Sequence, residues 1–236
     1  MKMKIGIFAY NFEHKKTQEG LLNLFLHGYK VECILAANPV ELNFYQSKIR
    51  LTPKDLRYIH PQIIAKRLKI PYHVVAHNSQ ESKDLIKNYN LDVGIILGAR
   101  ILKKDIIDTF KIGIINLHPG LLPENRGLDT IKWAILKDFK QGATAHFINE
   151  TIDQGRIIIK KNIKIFNDDT LIDLYLRIQN LEQELMLESL KIIENANNNF
   201  EKISSETGSF KAVPPELEKK LFVQFEKYKK KISVKS

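Results

Sequence analysis

Short apolar runs alternate with helical patterns along the first half of the chain. The runs cover residues 4–9, 31–36, 73–76, 93–97 and 113–117. Between them, apolar side chains recur at helical spacing within residues 21–25, 63–68, 85–86 and 106–110. This alternation predicts a mostly parallel sheet flanked by helices, with right-handed connections.

The pattern changes after residue 117. A loop with Pro119, Pro123 and Gly127 leads to a predicted helix over 129–138, and predicted strands follow over 143–149 and 156–165. The short connection between these strands contains Gly155 and favours a hairpin. A long helix then opens at Asp169 or Thr170, with Asp173 in its first turn. Its apolar residues, spaced three and four apart, predict one face buried against the sheet, with a dimer seam as the alternative: Leu171, Leu174, Ile178, Leu181 and Leu185.

These patterns together predict an α/β fold with a Rossmann-like, mostly parallel sheet. An antiparallel hairpin joins the sheet towards the C-terminus, and a short helical tail begins at Pro214-Pro215. The polar link 195–199 separates the two parts. We expect a main domain over residues 1–198 and a short basic extension over residues 199–236.

Composition and charge narrow the class of protein. The formal net charge is +10, and residues 211–236 alone hold eight lysines against three glutamates. A basic tail is more often a solvated helix than a binding surface, although a nonenzymatic RNA-binding protein stays an alternative. The longest apolar runs are far shorter than the roughly 20 residues of a membrane helix. The single cysteine, Cys33, lies in an apolar run and excludes an intrachain disulfide. We expect a cytoplasmic protein without membrane or nucleic-acid partners.

Two polar side chains end the last of the predicted parallel strands, in Ile114-Ile115-Asn116-Leu117-His118-Pro119-Gly120. Residues two apart in a strand face the same way, so Asn116 and His118 point together. Pro119 cannot continue the ladder, which places the pair at the carboxyl end of the strand, where open α/β sheets form ligand crevices. A loop cap at Asn116 and a half-buried, satisfied His118 form the purely structural alternative.

Asp153 is the third candidate and precedes Gly155 in the predicted hairpin turn. From spacing alone, a turn-forming role is the more common explanation. Together with Asn116 and His118, however, it suits acyl transfer between two nitrogens. An amide N–H and an imidazolium stabilise a tetrahedral oxyanion, and histidine relays a proton at neutral pH. A nearby carboxylate favours the charged imidazole and orients a bridging water.

Other chemistries have little support in the sequence. There is no Gly-x-Ser-x-Gly segment, no Gly-x-x-x-x-Gly-Lys phosphate loop and no cysteine pair, and the turn after the first strand lacks the glycines of a dinucleotide fingerprint. A zinc site can be drawn from His118, His146 and Asp153, but we expect no metal.

The site motifs resemble those of the folate-dependent formyltransferase family. They are Asn116-Leu117-His118-Pro119-Gly120-Leu121-Leu122-Pro123, Arg126-Gly127 and Ile152-Asp153-Gln154-Gly155. The family includes glycinamide ribonucleotide formyltransferase, methionyl-tRNA formyltransferase and the N-formyltransferases of nucleotide-linked amino sugars. The likeness covers roughly residues 1–195 in strand order and is sharpest over 91–159. It implies that residues 1–198 form a formyltransferase catalytic domain.

The resemblance also implies roles for individual residues. Asn116 and His118 would hold and protonate the tetrahedral intermediate, while Asp153 would support the histidine and a water relay. The donor would be 10-formyltetrahydrofolate, used as a cosubstrate. Its pterin would lie against the backbone of residues 100–102 and against the loop of residues 149–153. The cofactor-binding candidates are therefore Arg100, Ile101, Leu102, Asn149 and Glu150.

The branches of the family differ at the acceptor amine. Glycinamide ribonucleotide enzymes carry a Gly/Ser-rich phosphate loop where this chain has Tyr10-Asn11-Phe12-Glu13-His14, although Gly127-Leu128-Asp129-Thr130 is similar to that branch. Methionyl-tRNA enzymes carry a further C-terminal domain, for which the residues after Phe200 leave too little chain. The length, and Glu124-Asn125-Arg126-Gly127 before Trp133, are most similar to sugar N-formyltransferases.

We therefore expect formyl transfer to the amine of a nucleotide-linked amino sugar, as in the biosynthesis of lipopolysaccharide and other surface polysaccharides. Phosphoribosylglycinamide formyl transfer in purine biosynthesis is the alternative. Basic residues between the second strand and the second helix could meet a diphosphate, and a solvated loop explains them equally well. The acceptor-binding candidates are Tyr10, Asn11, Arg50, Tyr58 and Arg126. The partners would be these two small-molecule substrates. The sequence leaves a homodimer open and selects neither the sugar, the base nor the amino position.

Overall fold

A computed structural model describes residues 3–41, 47–151, 153, 155–195, 200–203 and 208–233 of the chain. The strands in this part are β1 (Ile5–Tyr10), β2 (Val31–Ala37), β3 (Tyr72–Val74), β4 (Val93–Ile96), β5 (Gly113–His118), β6 (Gly142–Phe147), β7 (Arg156–Asn162) and β8 (Glu201–Lys202). The helices are α1 (Lys15–Leu26), α2 (Pro61–Leu68), α3 (Gln80–Asn88), α4 (Lys104–Ile107), α5 (Thr130–Lys137), α6 (Leu171–Glu194), α7 (Pro215–Glu218) and α8 (Leu221–Ile232).

All of these strands join one sheet, in the order β3-β2-β1-β4-β5-β6-β7-β8. The strands from β3 to β5 in that order pair in parallel, and β6, β7 and β8 continue the sheet by antiparallel pairing. The predicted parallel sheet with an added antiparallel hairpin is therefore confirmed. Because β1 lies between β2 and β4, the strand order reverses there, and a crevice forms at the carboxyl ends of these strands.

Alternate side chains along the strands enter two separate apolar cores. Ile5 and Ile7 of β1 pack with side chains of α1, α2 and α6 on one face of the sheet. Phe8, the residue after Ile7, packs with Ile86 of α3 and Ile106 of α4 on the other face. Helices therefore cover both faces, as the near-continuous apolar runs require for parallel strands.

The long helix α6 begins as its sequence predicts. Thr170 is the N-cap, and its hydroxyl accepts from the Asp173 N–H while the Asp173 carboxylate accepts from the Thr170 N–H, which completes a capping box. The predicted apolar face is buried, but its two halves have different partners. Leu181 and Leu185 pack on the sheet, whereas the first turns pack against α5 and α8. None of the described helices is long and apolar enough to cross a membrane.

The C-terminal extension is attached to the main domain at several points. Strand β8, which the sequence patterns do not predict, pairs with β7. Helix α8 packs against α5 and the first turns of α6, where the Tyr228 hydroxyl donates to the Phe139 carbonyl over 2.7 Å. Lys229 is buried and its ammonium group donates to the Asp169 carbonyl, and Lys231 forms an ion pair with Asp138. Part of the basic tail is therefore used in internal contacts. The division at residue 198 stays a prediction.

The observed bounds of strands β1 to β7 and of α5 differ from the predicted ones by up to three residues, whereas α1 and α3 begin five or six residues before their predicted apolar patterns. The C-terminal tail has two helices, α7 and α8, rather than the single one predicted from Pro214-Pro215. Most of the predicted link 195–199 lies outside the described residues. Cys33 is fully buried in β2, as its apolar run predicts.

The packing of α8 gives a test of how the extension contributes to stability. Phe225→Ala removes a side chain that is 3% exposed in the core with α5 and α6. We expect it to lower the free energy of unfolding by about 3–5 kcal/mol in one cooperative transition, measured by denaturant titration. The control is Phe222→Ala on the same helix, where the ring is 60% exposed and the expected change is within about 0.5 kcal/mol. If Phe225→Ala instead changed only a separate minor transition and left the main one unchanged, the extension would be shown to fold independently of the main domain.

Candidate active site

The neighbouring strands β5 and β6 place apolar side chains on one face and polar side chains on the other. Ile115 and Leu117 of β5 join the core beneath α6. The opposite face carries two cross-strand pairs, Asn116 with His146 and His118 with Thr144. Three of these four side chains are buried, His118 at 3% exposure. Buried polar side chains need hydrogen-bond partners, so this face must be built by specific contacts.

His118 is held between a carbonyl and a carboxylate. Its Nε2 lies 2.7 Å from the Asn125 carbonyl oxygen, which can only accept, so Nε2 carries a proton. Its Nδ1 lies 3.5 Å from Asp153 Oδ2. This distance is longer than a well-formed hydrogen bond, and the contact is electrostatic. The carboxylate therefore faces the second ring nitrogen of His118.

His146 orients the amide of Asn116. Burial, together with His118, lowers the pKa of His146 to about 4, although Asp153 acts in the opposite direction. The ring is therefore neutral at pH 7. Its Nδ1 lies 3.2 Å from the Phe147 carbonyl and donates to it, so Nε2 is free to accept from Asn116 Nδ2 at 3.2 Å. One amide hydrogen of Asn116 is thus fixed, and no partner for the other is found among the described residues.

The residues after β5 carry the partners of this polar face. Gly120 lets the chain turn close to His118, since a Cβ there would lie 2.7 Å from the Asn125 carbonyl oxygen and 2.9 Å from His118 Nε2. The backbone N–H of Gly127 donates to Asp153 Oδ2 over 3.0 Å. Asp153 itself has a φ of 52°, a left-handed conformation that aspartate tolerates better than most residues.

The structure thus brings Asn116, His118 and Asp153 together, as predicted from the sequence. Among the described residues, no group of three or more His, Cys, Asp or Glu side chains is arranged to hold a metal ion.

The predicted cofactor-binding residues lie on two loops near this cluster. Residues 100–102 follow β4, the neighbour of β5, and Asn78 fixes them by donating to the Ile101 carbonyl and accepting from the Lys103 N–H. Asn149 and Glu150 lie on the loop that leads to Asp153. The pKa of Lys104 is raised chiefly by Asp108 and also by Glu150, so this loop faces the start of α4. A cavity of about 650 Å³ extends from Asn149 along Phe110 and Ile148.

The predicted acceptor-binding residues do not form one group. Tyr10 donates to the Ala99 carbonyl, and the Asn11 side chain is bonded to Asn38 and Tyr72. Tyr58 lines a second cavity of about 320 Å³, together with His14 and Lys16. Arg50 is exposed on the preceding loop, and Arg126 is buried. Their roles stay predictions.

Sequence reasoning missed several residues that build the cluster. His146 was considered only as a metal ligand, and Thr144, which accepts from the Leu122 N–H and donates to the Gly120 carbonyl, was not considered at all. The signal was present, because Thr144 and His146 alternate with apolar residues in β6. The contribution of Asn125 and Gly127 is made by backbone atoms, which leave no such signal.

Fold and cluster together define a doubly wound α/β protein with a cluster of histidine, asparagine and aspartate side chains at the carboxyl end of β5. The sequence model of the formyl transferase family matches residues 45–190. The chain therefore belongs to the formyl transferase family.

Individual relatives agree with this assignment. Methionyl-tRNA formyltransferase of Clostridioides difficile is 34% identical over 128 residues, which are 53% of this chain and 41% of the relative. The chain spans less than half the length of the curated relatives it matches. Among solved structures, phosphoribosylglycinamide formyltransferase from Anaplasma phagocytophilum aligns with a TM-score of 0.66 at 21% identity, covering 89% of this chain and 98% of the other. A sugar N-formyltransferase from Shewanella sp FDAARGOS_354 aligns with a TM-score of 0.59 at 20% identity, covering 89% and 76%. At such identities the two structures show a shared fold.

The low pKa of His146 predicts a dependence of stability on pH. The unfolded chain binds a proton at this histidine below about pH 6.5, whereas the folded protein binds it only near pH 4. The contribution of His146 to the free energy of unfolding is therefore complete above pH 6.5. It falls as the pH is lowered through this window, by at most about 1.4 kcal/mol per pH unit. Denaturant titrations at several pH values across this window give the free energy of unfolding at each pH. Its decrease per pH unit should be smaller for His146→Gln than for the wild type.

The control for this experiment is His27→Gln, because His27 is exposed at the end of α1. Its slope should match that of the wild type. His14, whose pKa is also lowered to about 4, contributes equally to all three proteins. Identical slopes for His146→Gln and wild type would show that His146 is not held neutral by the fold.

Proposed function

We propose that this protein transfers the formyl group of 10-formyltetrahydrofolate to the amine of a nucleotide-linked amino sugar. The observation that carries the proposal is the position of the His118 imidazole between the Asn125 carbonyl and the Asp153 carboxylate, beside the amide of Asn116. Membership of the formyl transferase family supports the reaction type.

The contacts suggest what each side chain does. Asn116 has one N–H bonded to His146, so its second N–H can donate to the formyl oxygen as negative charge develops there. His118 Nε2 is occupied by the Asn125 carbonyl, which leaves Nδ1 as the nitrogen that exchanges a proton. The new bond joins the amine nitrogen to the formyl carbon, the bond to the donor nitrogen breaks, and one proton passes from the amine to that nitrogen. Asp153 faces Nδ1 and would hold the ring in place during this transfer.

The loop after β4 fits the folate donor. Leu102 is 4% exposed, and no hydrogen bond is found for its backbone groups within the described part of the chain; the neighbouring Arg100 is exposed. Buried backbone groups are almost always paired, so a ligand with donors and acceptors along one edge is a natural partner. A pterin has such an edge. Asn78 keeps this backbone in place, and the Asn149 loop would form the opposite wall. The bound folate would supply the activated formyl group.

Charge and aromatic surface support a nucleotide-linked acceptor. Lys48, Arg50, Lys54 and Arg57 are exposed, and no ion pair is found for them among the described residues. Their loop borders the cavity lined by His14, Lys16 and Tyr58, and Lys16 Nζ reaches the Leu117 carbonyl, one residue before His118. Cations beside an open cavity suit a diphosphate.

The turn after β1 adds an aromatic surface. The rings of Tyr10 and Phe12 stack with centroids 4.9 Å apart and planes 9° apart, at the edge of a cavity of about 580 Å³ that Arg100 also lines. Such rings can stack on a nucleobase. A Gly/Ser-rich phosphate loop would instead favour a bare ribose phosphate.

Substitution of the three side chains tests the proposed chemistry. We expect His118→Ala and Asp153→Ala each to lower turnover by at least about a hundredfold, because each removes part of the proton relay. Since Asp153 has a φ of 52°, Asp153→Asn is the cleaner variant: asparagine tolerates this conformation and only the charge is lost. Initial rates of folate release measure the effect.

Two exposed residues of the same types provide matched controls. His27→Ala and Asp168→Ala change neither the cluster nor its partners, and their turnover should equal that of the wild type. Circular dichroism confirms folding of each variant. A folded His118→Ala protein with normal turnover would remove His118 from the mechanism.

The acceptor is tested with a panel of amines. Each of a set of nucleoside-diphosphate amino sugars, glycinamide ribonucleotide and methionyl-tRNA is supplied with 10-formyltetrahydrofolate, and folate release is followed. We expect turnover only with an amino-sugar nucleotide, and reduced affinity for it when Arg50 and Arg57 are both replaced by glutamine. Turnover with glycinamide ribonucleotide or methionyl-tRNA alone would assign the protein to those branches. Salt-sensitive RNA binding without any turnover would support the nonenzymatic alternative.

A further inference from the structure

A short segment of the C-terminal extension crosses the loop that follows β5. We define the active-site loop as residues 125–129 and the C-terminal clamp as residues 210–213. The Phe210 N–H donates to the Arg126 carbonyl over 2.8 Å, and the Leu128 N–H donates to the Phe210 carbonyl over 2.9 Å. These two bonds form a parallel bridge between Gly127 and Phe210. The clamp thus lies beside the active-site loop and pairs with it through this single bridge.

Three further contacts hold the clamp in place. The Phe210 ring stacks on Trp133 of α5, with centroids 4.8 Å apart. The Trp133 indole N–H donates to the Lys211 carbonyl over 2.7 Å, and the Val213 N–H donates to Asp129 Oδ2 over 2.9 Å. Since α5 packs between the clamp and α8, the position of the clamp is set by the main domain and the extension together.

Gly127 is the residue that this arrangement requires. Its φ is +99°, and a Cβ at this position would lie 2.2 Å from the Phe210 carbonyl oxygen. The two backbones are therefore closer than any side chain would permit. This approach also fixes the direction of the Gly127 N–H, which points at Asp153 Oδ2.

The active-site loop supplies both backbone contacts of the reacting cluster. The Asn125 carbonyl holds His118 Nε2 at 2.7 Å, and the Gly127 N–H holds Asp153 Oδ2 at 3.0 Å. A shift of this loop would change the distance between His118 Nδ1 and Asp153, now 3.5 Å. The clamp bonds the residue between them, Arg126, and the residue after them, Leu128.

We propose that Phe210 is a positioning residue, whose backbone hydrogen bonds to the active-site loop set the distance between His118 and Asp153. The catalytic consequence rests on the proposed formyl transfer, whereas the structural consequence does not. The extension thereby has a role in the site without contributing a side chain to it. No contact of Phe210 with a substrate is involved, so the affinity for both substrates should be preserved.

The test compares two substitutions at one position. Phe210→Pro removes the backbone N–H that bonds Arg126, while Phe210→Ala removes the ring and keeps that N–H. We expect Phe210→Pro to lower kcat by about tenfold to a hundredfold with both KM values within about twofold of wild type, because small misplacements of catalytic groups cost rate. Phe210→Ala should retain kcat within about threefold.

A second readout needs no activity. Nuclear magnetic resonance of the unliganded protein reports the Gly127 amide and the His118 ring nitrogens. In Phe210→Pro the Gly127 amide should exchange faster with solvent and the His118 ring signals should move. Phe210→Ala keeps the N–H and loses only the ring stacked on Trp133, so both changes should be smaller in that variant. Wild-type protein that transfers formyl to no acceptor would end the proposed function, and the resonance data would still decide the role of the clamp.

Trp133→Phe provides a variant that keeps the stacked ring and loses the indole N–H bonded to Lys211. It replaces Phe210→Pro if that protein does not fold, and the same changes in kcat and resonances are expected in smaller size. Wild-type kcat and unchanged Gly127 and His118 signals in the folded variants with a weakened clamp would overturn the proposal.

Discussion

The burial of the Asp153 carboxylate beside His118 and His146 is the constraint on which the rest of this site depends. A buried charge is costly unless it is paired and hydrogen-bonded. Here the two carboxylate oxygens have different surroundings: Oδ2 accepts from the Gly127 N–H and lies near His118, while Oδ1 lies 3.6 Å from His146. The loop after β5 and the connection between β6 and β7 are folded so that both of these oxygens have a polar neighbour.

This constraint explains why two chemically similar histidines differ. His146 lies on β6 among apolar neighbours, so burial lowers its pKa to about 4 and keeps it neutral as an acceptor for Asn116. His118 lies one cross-strand pair closer to the loops, between the Asn125 carbonyl and the Asp153 carboxylate. One histidine is suited to orienting an amide and the other to exchanging a proton.

The sheet gives the site two distinct sides. Towards β4 lie the loop of residues 100–102, which Asn78 holds, and the Asn149 loop, which lines a cavity of about 650 Å³. Towards β1, exposed cations and the stacked Tyr10 and Phe12 rings border separate cavities. Family membership covers the reaction type, because the matched residues 45–190 include all three cluster side chains. The side towards β1 is built from residues outside that cluster, and this is where the branches of the family are expected to differ.

The sequence by itself determined the alternation of strands and helices, the capping box of α6 and the pairing of Asn116 with His118 on one strand face, because these features follow from periodicity and from contacts between near neighbours. It also marked Asp153 through a motif. It did not determine strand β8 or the bond from Gly127 to Asp153. Nor did it determine the contact of Phe210 with the loop before α5. These are backbone contacts between residues far apart in the chain, and a backbone N–H or C=O has the same chemistry in nearly every residue. Only the folded chain decides which of them meet.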